Sequence, residues 1–285
     1  MLQSPETTSL DSKIEKAVEN IRQFKGAVVA LSAGVDSSLV AVLARRALGE
    51  KAVAATAVSE SLPPGELEVA RKTAAGIGIR HVIVRTDELQ NPDYYTNPAN
   101  RCYYCKDTLF RELRSLADRL GLEAVLDGTQ ADDLGDSRPG MRAAREAGVR
   151  SPLLEAGFSK NEVREAARLL GLLIWDKPAM PCLSSRIPHG LEVTAEKLWV
   201  IGQAELFIKG LTGVRDLRVR HHGVLARVEV RSEERILFQD ERVMGEIGDK
   251  LRTLGFTSVA LDVKSVRGPR SPGAEGLLLP VLNTA

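Results

Sequence analysis

"LSAGVDSSLV" (residues 31–40) follows a run of β-branched and small residues and leads into a helical pattern that stops at Gly49. Small residues between a strand and a helix let backbone N–H groups approach an anion. The helix N-terminus adds its partial positive charge. Ser32, Ser37 and Ser38 offer hydroxyl donors beside it. The stretch is not a Walker A loop, because no Gly-Lys-Ser/Thr follows, and it is not G-x-G-x-x-G. Its bland alternative is an ordinary strand-to-helix turn with Asp36 as the N-cap.

On either side, short apolar runs alternate with helical patterns. Residues 26–32, 51–59, 80–86, 123–129 and 172–176 read as buried strands. Strands alternating with helices predict an α/β fold with a doubly wound, parallel, five-stranded sheet over residues 1–188. Capping boxes are expected at Ser12 with Glu15 and at Ser159 with Glu162. After residue 188 the order becomes α-β-β-α-β, with strands on either side of a turn at Gly223 and a long helix over 233–255. That order predicts a second, smaller α+β domain over 189–265. Residues 266–285 are rich in Gly and Pro and read as a mobile tail.

Bulk properties narrow the function. The net charge is +1 over 285 residues, so no global field draws nucleic acid or a membrane. The polar N-terminus has no signal-peptide core, and no apolar run spans a bilayer. Three cysteines, an odd number, make no disulfide framework, which points to the reducing cytoplasm.

Two of these cysteines, Cys102 and Cys105, sit in "NRCYYCK" (100–106), just before a helix expected to start near Lys106. The third, Cys182, lies in "DKPAMPCLSSRIPHG" (176–190), just past the expected fifth strand. Four readings compete. Zinc needs a fourth ligand, for which His189 and His81 are available. A redox pair, inert buried thiols, and a [4Fe–4S] cluster on three thiolates with one open iron are the others. The cluster is the reading adopted.

The 31–40 stretch resembles the PP-loop signature, Ser-Gly-Gly-x-Asp-Ser, of ATP pyrophosphatases. Ala33 stands where that family carries glycine, and it needs a negative φ or room at the phosphate. "LDGTQADDLGDSRPG" (126–140), with Gly128, Asp132, Asp133, Asp136 and Arg138, resembles the family's second nucleotide-site loop. "SPLLEAGFSKNEVREAARLLGL" (151–172) resembles its next helix. At the two cysteine stretches and at "RVRHHGVLARVEV" (218–230) the resemblance narrows to the LarE family, covering about residues 10–265.

That resemblance implies an ATP-dependent sulfur transferase of nickel-pincer nucleotide biosynthesis. It adenylates the carboxylates of a pyridinium-3,5-biscarboxylic acid mononucleotide, releases pyrophosphate and forms thiocarboxylates. It implies ATP and Mg²⁺ at Ser32, Ala33, Gly34, Val35, Asp36, Ser37, Ser38, Gly128 and Asp132. Asp36, Cys182, Arg186 and Glu205 are the implied catalytic set, and Arg218 and Arg220 hold the substrate phosphate. The three-cysteine pattern implies a [4Fe–4S] cluster on Cys102, Cys105 and Cys182 that carries transferable sulfide from a sulfide or sulfur donor. In other members the residue matching Cys182 is itself sacrificed. Homo-oligomers, hexamers in the family, are implied. From the residues alone, Arg186 also reads as a surface arginine, Arg218 and Arg220 as a solvated strand face, and Trp175 and Trp199 as core. Two other functions compete: a PP-loop tRNA thiolase, and a non-enzymatic nucleotide-binding redox sensor.

Overall fold

The computed structural model describes residues 9–135, 139–262 and 282–283, the last two by backbone only. The chain divides into two units. The first runs through Ser59 and takes Gly65–Tyr94 and Ala99–Ala179. The second takes Glu60–Pro64, Tyr95–Pro98 and the chain from Met180 onward.

In chain order the first unit carries α1 (Leu10–Arg22), β1 (Ala27–Ala30), α2 (Val35–Leu48), β2 (Ala52–Val58), α3 (Glu66–Ile77) and β3 (Arg80–Arg85). The single turn α4 (Pro92–Tyr95) follows. Then come α5 (Arg101–Leu120), β4 (Ala124–Leu126), α6 (Pro139–Glu146), the single turn α7 (Pro152–Glu155) and α8 (Lys160–Leu169). The sheet order is β3-β2-β1-β4, all parallel. Alternate residues serve opposite faces, as the pleat requires. Ala27, Val29, Ala54 and Leu126 pack with Ile21, Leu39 and Val163 from α1, α2 and α8. Val28, Ala55 and Val125 pack with Phe110, Leu113 and Ala144 from α5 and α6. Each buried Val, Leu or Phe contributes about 1.5–3 kcal/mol, so the α/β core is held from both sides.

The sheet has four strands, not five. Residues 172–176 form turns, with Trp175 N–H donating to Leu172 O and Lys177 N–H to Ile174 O. Leu172 is buried, but Leu173 is 95% exposed, so the apolar run has no second buried face to fill. Beside β4, Arg150 makes an isolated parallel bridge to Leu126. The strand order reverses between β1 and β4, and in such folds ligands bind at the carboxyl ends of those strands.

Several expected ends shift. α1 starts at Leu10, capped by Ser9 rather than by Ser12 with Glu15, and Ser9 Oγ accepts from Ser12 N. The Ser159–Glu162 capping box is present on α8. α5 starts at Arg101, so Cys102 and Cys105 lie inside the helix instead of before it.

The second unit carries α9 (Ala195–Thr212), β5 (Leu217–His222), β6 (Leu225–Val230), α10 (Glu241–Thr253), β7 (Ser258–Asp262) and β8 (Leu282–Asn283), in sheet order β5-β6-β7-β8. The hairpin turns at Gly223 (φ 67°), as expected. The long helix expected over 233–255 is broken: Ser232–Phe238 is 3₁₀, and Asp240 caps α10 by accepting from Arg242 N. Val219, Val228 and Ile208 form its core with Leu251 and Phe256. Asp136, Arg138 and all of the 266–285 tail except 282–283 lie outside the described residues. Among the described residues no helix is long and apolar enough to cross a membrane.

Candidate active site

The loop after β1 and the head of α2 form the centre of the first unit's candidate site. Gly34, not Asp36, is the N-cap of α2, and with no side chain it makes no cap hydrogen bond to the first-turn N–H groups. The first-turn N–H groups of a helix have no intrahelical acceptors, so this end stands ready for an anion. Ser32 N–H donates to Ser37 Oγ at 3.2 Å, and the two hydroxyls lie 3.1 Å apart. Ser38 Oγ donates to Gly34 O at 2.8 Å. Val35 is buried and anchors the helix start. Ala33 has φ 58°, fully buried. The negative φ expected for an alanine is not what the loop adopts. The left-handed turn that glycine makes freely is imposed here on a residue with a Cβ.

Gly128, at the carboxyl end of β4, touches this turn. A Cβ there would lie 2.8 Å from Ser37 N and 3.0 Å from the Asp36 carbonyl carbon, so only glycine fits. Asp36, on the first turn of α2, accepts from Lys160 Nζ at 2.6 and 2.5 Å. Asp132 Oδ2 accepts from the Lys160 backbone N–H at 2.8 Å. Asp36, Gly128 and Asp132 are thus brought to one place.

Lys160 and Lys177 are absent from the sequence-derived candidates. Lys160 is the first residue of α8, where a cation faces the positive end of the helix dipole. That misplacement is a signal that an anion lies nearby. Lys177 donates to Ala33 O at 3.0 Å and pairs with Glu66. Its neighbours Asp176 and Pro178 give no such signal. Below the loop, Thr56 Oγ1 donates to Leu31 O and lies 2.8 Å from His81 Nε2. Burial, and then the Arg71 charge, hold the His81 pKa below its ordinary value.

Also in the first unit, Cys102 is exposed and Cys105 half-buried on α5. Three residues apart, they share a helix face. α6 starts close against the same helix: a Cβ on Gly140 would lie 3.1 Å from Lys106 Cγ.

In the second unit, Cys182 is the N-cap of the 3₁₀ turn Leu183–Arg186. It does not follow a strand. Arg186 and Glu205 are both buried and form a two-pronged pair, 2.8 and 3.2 Å. Arg186 Nη1 also donates to the Pro181 and Cys182 carbonyls and to Ser185 Oγ. Glu205 Oε1 accepts from Val219 N. The surface-arginine reading of Arg186 fails, and its bonded nitrogens are directed at the protein. Arg186 therefore positions the Cys182 turn. Gly202 lets α9 approach: a Cβ there would lie 3.4 Å from Leu183 Cδ1.

Arg218 and Arg220 share one face of β5. Arg220 pairs with Glu229 and donates to Ser185 O. Arg218 Nε is buried without a hydrogen-bond partner among the described residues. Burial, then the charges of Arg186 and Arg220, push the Arg218 pKa down. A half-buried cation pressed by two others favours an anion. Trp175 and Trp199 are exposed rather than core.

Among the described residues no three His, Cys, Asp or Glu side chains converge on one metal-sized point.

The sequence matches the family described as NAD synthase over residues 6–93, the segment that contains the phosphate loop. It is 34% identical over 266 residues to the pyridinium-3,5-bisthiocarboxylic acid mononucleotide synthase of Lactiplantibacillus plantarum, covering 92% of this chain and 94% of that one. The chain belongs to that synthase family. An uncharacterised protein of Synechocystis sp. is 49% identical over 255 residues, 88% of this chain and 95% of the relative. A component of the glutamine-hydrolysing GMP synthase of Methanothermobacter thermautotrophicus is 30% identical over 212 residues, 69% of this chain and 68% of that one. Membership in the synthase family, with its PP-loop domain, makes this an ATP-dependent adenylating enzyme.

Proposed function

We propose that the protein activates the carboxylates of pyridinium-3,5-biscarboxylic acid mononucleotide with ATP and converts them to thiocarboxylates. The observation that carries this is the uncapped head of α2, with Gly128 pressed against it and Lys160 beside it. It suits the binding of ATP phosphates. A carboxylate is a poor electrophile, and adenylation turns it into an ester whose leaving group is AMP. Pyrophosphate departs in the first step. Sulfur then attacks the acyl carbon, and AMP departs with the bonding electrons. Lys160 neutralises phosphate charge as it develops. Asp36 and Asp132 supply oxygens of the kind Mg²⁺ prefers.

Arg218, half-buried and pressed by two cations, is the proposed partner of the substrate phosphate, with Arg220 beside it. Arg186 and Glu205 hold the Cys182 turn that presents sulfur. We further propose that Cys102, Cys105 and Cys182 are the ligands of a [4Fe–4S] cluster. The donor count supports this, with two thiols three apart on one helix and a third on the other unit. A homo-oligomer in the cytoplasm completes the proposal.

The test is pyrophosphate release from ATP on addition of the biscarboxylate mononucleotide, with mass analysis of the product. The expected result is release that depends on the mononucleotide, and a product in which sulfur has replaced carboxylate oxygen. Release stimulated by tRNA instead, or none with either, overturns the reading. Iron and sulfide analysis of anaerobically purified protein tests the cluster.

A further inference from the structure

Lys177 reaches the phosphate loop without offering it a free charge. Its Nζ donates to Ala33 O at 3.0 Å and pairs with Glu66 Oε2 at 2.6 Å. The two charged side chains are only 16% and 11% exposed. The backbone of Lys177 is fixed as well: its N–H donates to Ile174 O, and its carbonyl accepts from Arg164 Nη2. Ordering a lysine from end to end sacrifices its rotamer freedom, so this bond to the loop is maintained against a cost.

The residue it holds is the strained one. Ala33 and Asn97 alone, among described non-glycine residues, have positive φ. A left-handed alanine crowds its own Cβ and relaxes to right-handed or extended backbone unless its surroundings prevent it. The peptide joining Ala33 to Gly34 is planar and trans, so its C=O and N–H point in opposite directions. Holding the carbonyl on one side turns the Gly34 N–H to the other, away from Lys177. If the carbonyl were released, that peptide could rotate, and an acceptor could replace a donor in the anion cradle.

We infer that Lys177 is a positioning residue for ATP: by gripping the Ala33 carbonyl it keeps the loop in its left-handed turn and the Gly34 N–H available to phosphate. Glu66 already neutralises the ammonium, so Lys177 acts through the loop and not as a phosphate ligand. This inference rests on the reading of the loop as the ATP site.

The experiment measures equilibrium ATP binding by the full chain. Lys177→Met alone strands the buried Glu66 carboxylate, so the comparison is made in Glu66→Gln. Adding Lys177→Met to that variant is expected to weaken ATP binding about tenfold, because apparent affinity scales with the fraction of molecules in the competent conformation. Adding Ala33→Gly to both is expected to restore binding to within about threefold, since glycine takes the positive φ without the grip of Lys177. A lysine that merely stabilised the fold would give no such rescue. ATP binding unchanged by Lys177→Met, or a loss that Ala33→Gly does not restore, overturns the inference. If the double variant fails to fold and the triple also fails, the role is structural and the inference falls. If the triple folds and binds ATP, the inference stands. Absence of ATP binding by the unaltered protein would instead sink the ATP reading, and this inference with it.

Discussion

Asp36 on α2 and Lys160 at the head of α8, 124 positions apart, meet with both carboxylate oxygens at 2.5–2.6 Å from the ammonium. The pair is about one-third exposed on each side, so its net contribution to folding is small, about 0–1 kcal/mol. Its position makes it useful: the cation sits where the helix dipole disfavours it and the phosphate loop favours it. Lys160→Ala is expected to leave the melting temperature nearly unchanged. It is expected to lower ATP-dependent pyrophosphate release about a hundredfold, as loss of one preorganised charge at a reacting phosphate does. Calorimetry and a pyrophosphate assay on the same sample check both halves.

Gly128→Ala probes the other wall of the loop. Its new methyl would sit 2.8 Å from Ser37 N, and the obstructing atoms are backbone, which cannot swing aside. Overpacking of this kind costs about 1–3 kcal/mol. Here it also lifts the β4 loop off the α2 head. The variant is expected to fold with a lowered denaturation midpoint and to lose ATP binding, measured by titration. Wild-type affinity in Gly128→Ala would show that the two loops do not share the nucleotide.

Arg186 and Glu205 form a buried pair whose worth lies in what it holds. Removing either partner leaves an uncompensated buried charge and costs about 3–5 kcal/mol. Arg186→Met with Glu205→Leu removes both charges and is expected to regain most of that stability. It still loses the bonds to the Pro181 and Cys182 carbonyls. The double variant is therefore expected to be folded, to release pyrophosphate, and to form little thiocarboxylate. Product analysis by mass separates the two steps.

Much of this arrangement is legible in the sequence because the signals are local. Ser32, Ser37 and Ser38 between a β-branched run and a helix mark the anion loop, and Ser159 with Glu162 marks a helix start that the backbone keeps. The failures come where tertiary contacts decide. Residues 172–176 have a strand's composition, but the segment closes into turns and leaves Leu173 exposed. Ser12 with Glu15 has the capping spacing, yet Ser9 lies one turn earlier and takes the cap. Ala33 reads as permissible at negative φ or with room at the phosphate, and its positive φ is not foreseen because the carbonyl grip of Lys177 has no trace in local sequence. Lys160, a cation at a helix head, is legible in principle.

Two half-buried histidines give the protein a pH dependence with a definite sign. His81 is held below its ordinary pKa of 6.5 by burial and then by Arg71. His221 is held below it by burial and then by Lys197. In the unfolded chain both regain the ordinary value. Between the two values the unfolded state binds more protons, so stability rises with pH there. Their contribution is therefore complete above about 6.5 and is lost as pH falls from there through the folded values. At His81 the loss concerns the loop, since Thr56 Oγ1 bonds both the imidazole and the Leu31 carbonyl that precedes Ser32. His81→Gln removes one titrating group. It is expected to flatten the fall in stability below pH 6.5, while the residual slope from His221 stays. Denaturant melts of both proteins at a series of pH values check this, and equal slopes in both would mean that His81 does not titrate differently on folding.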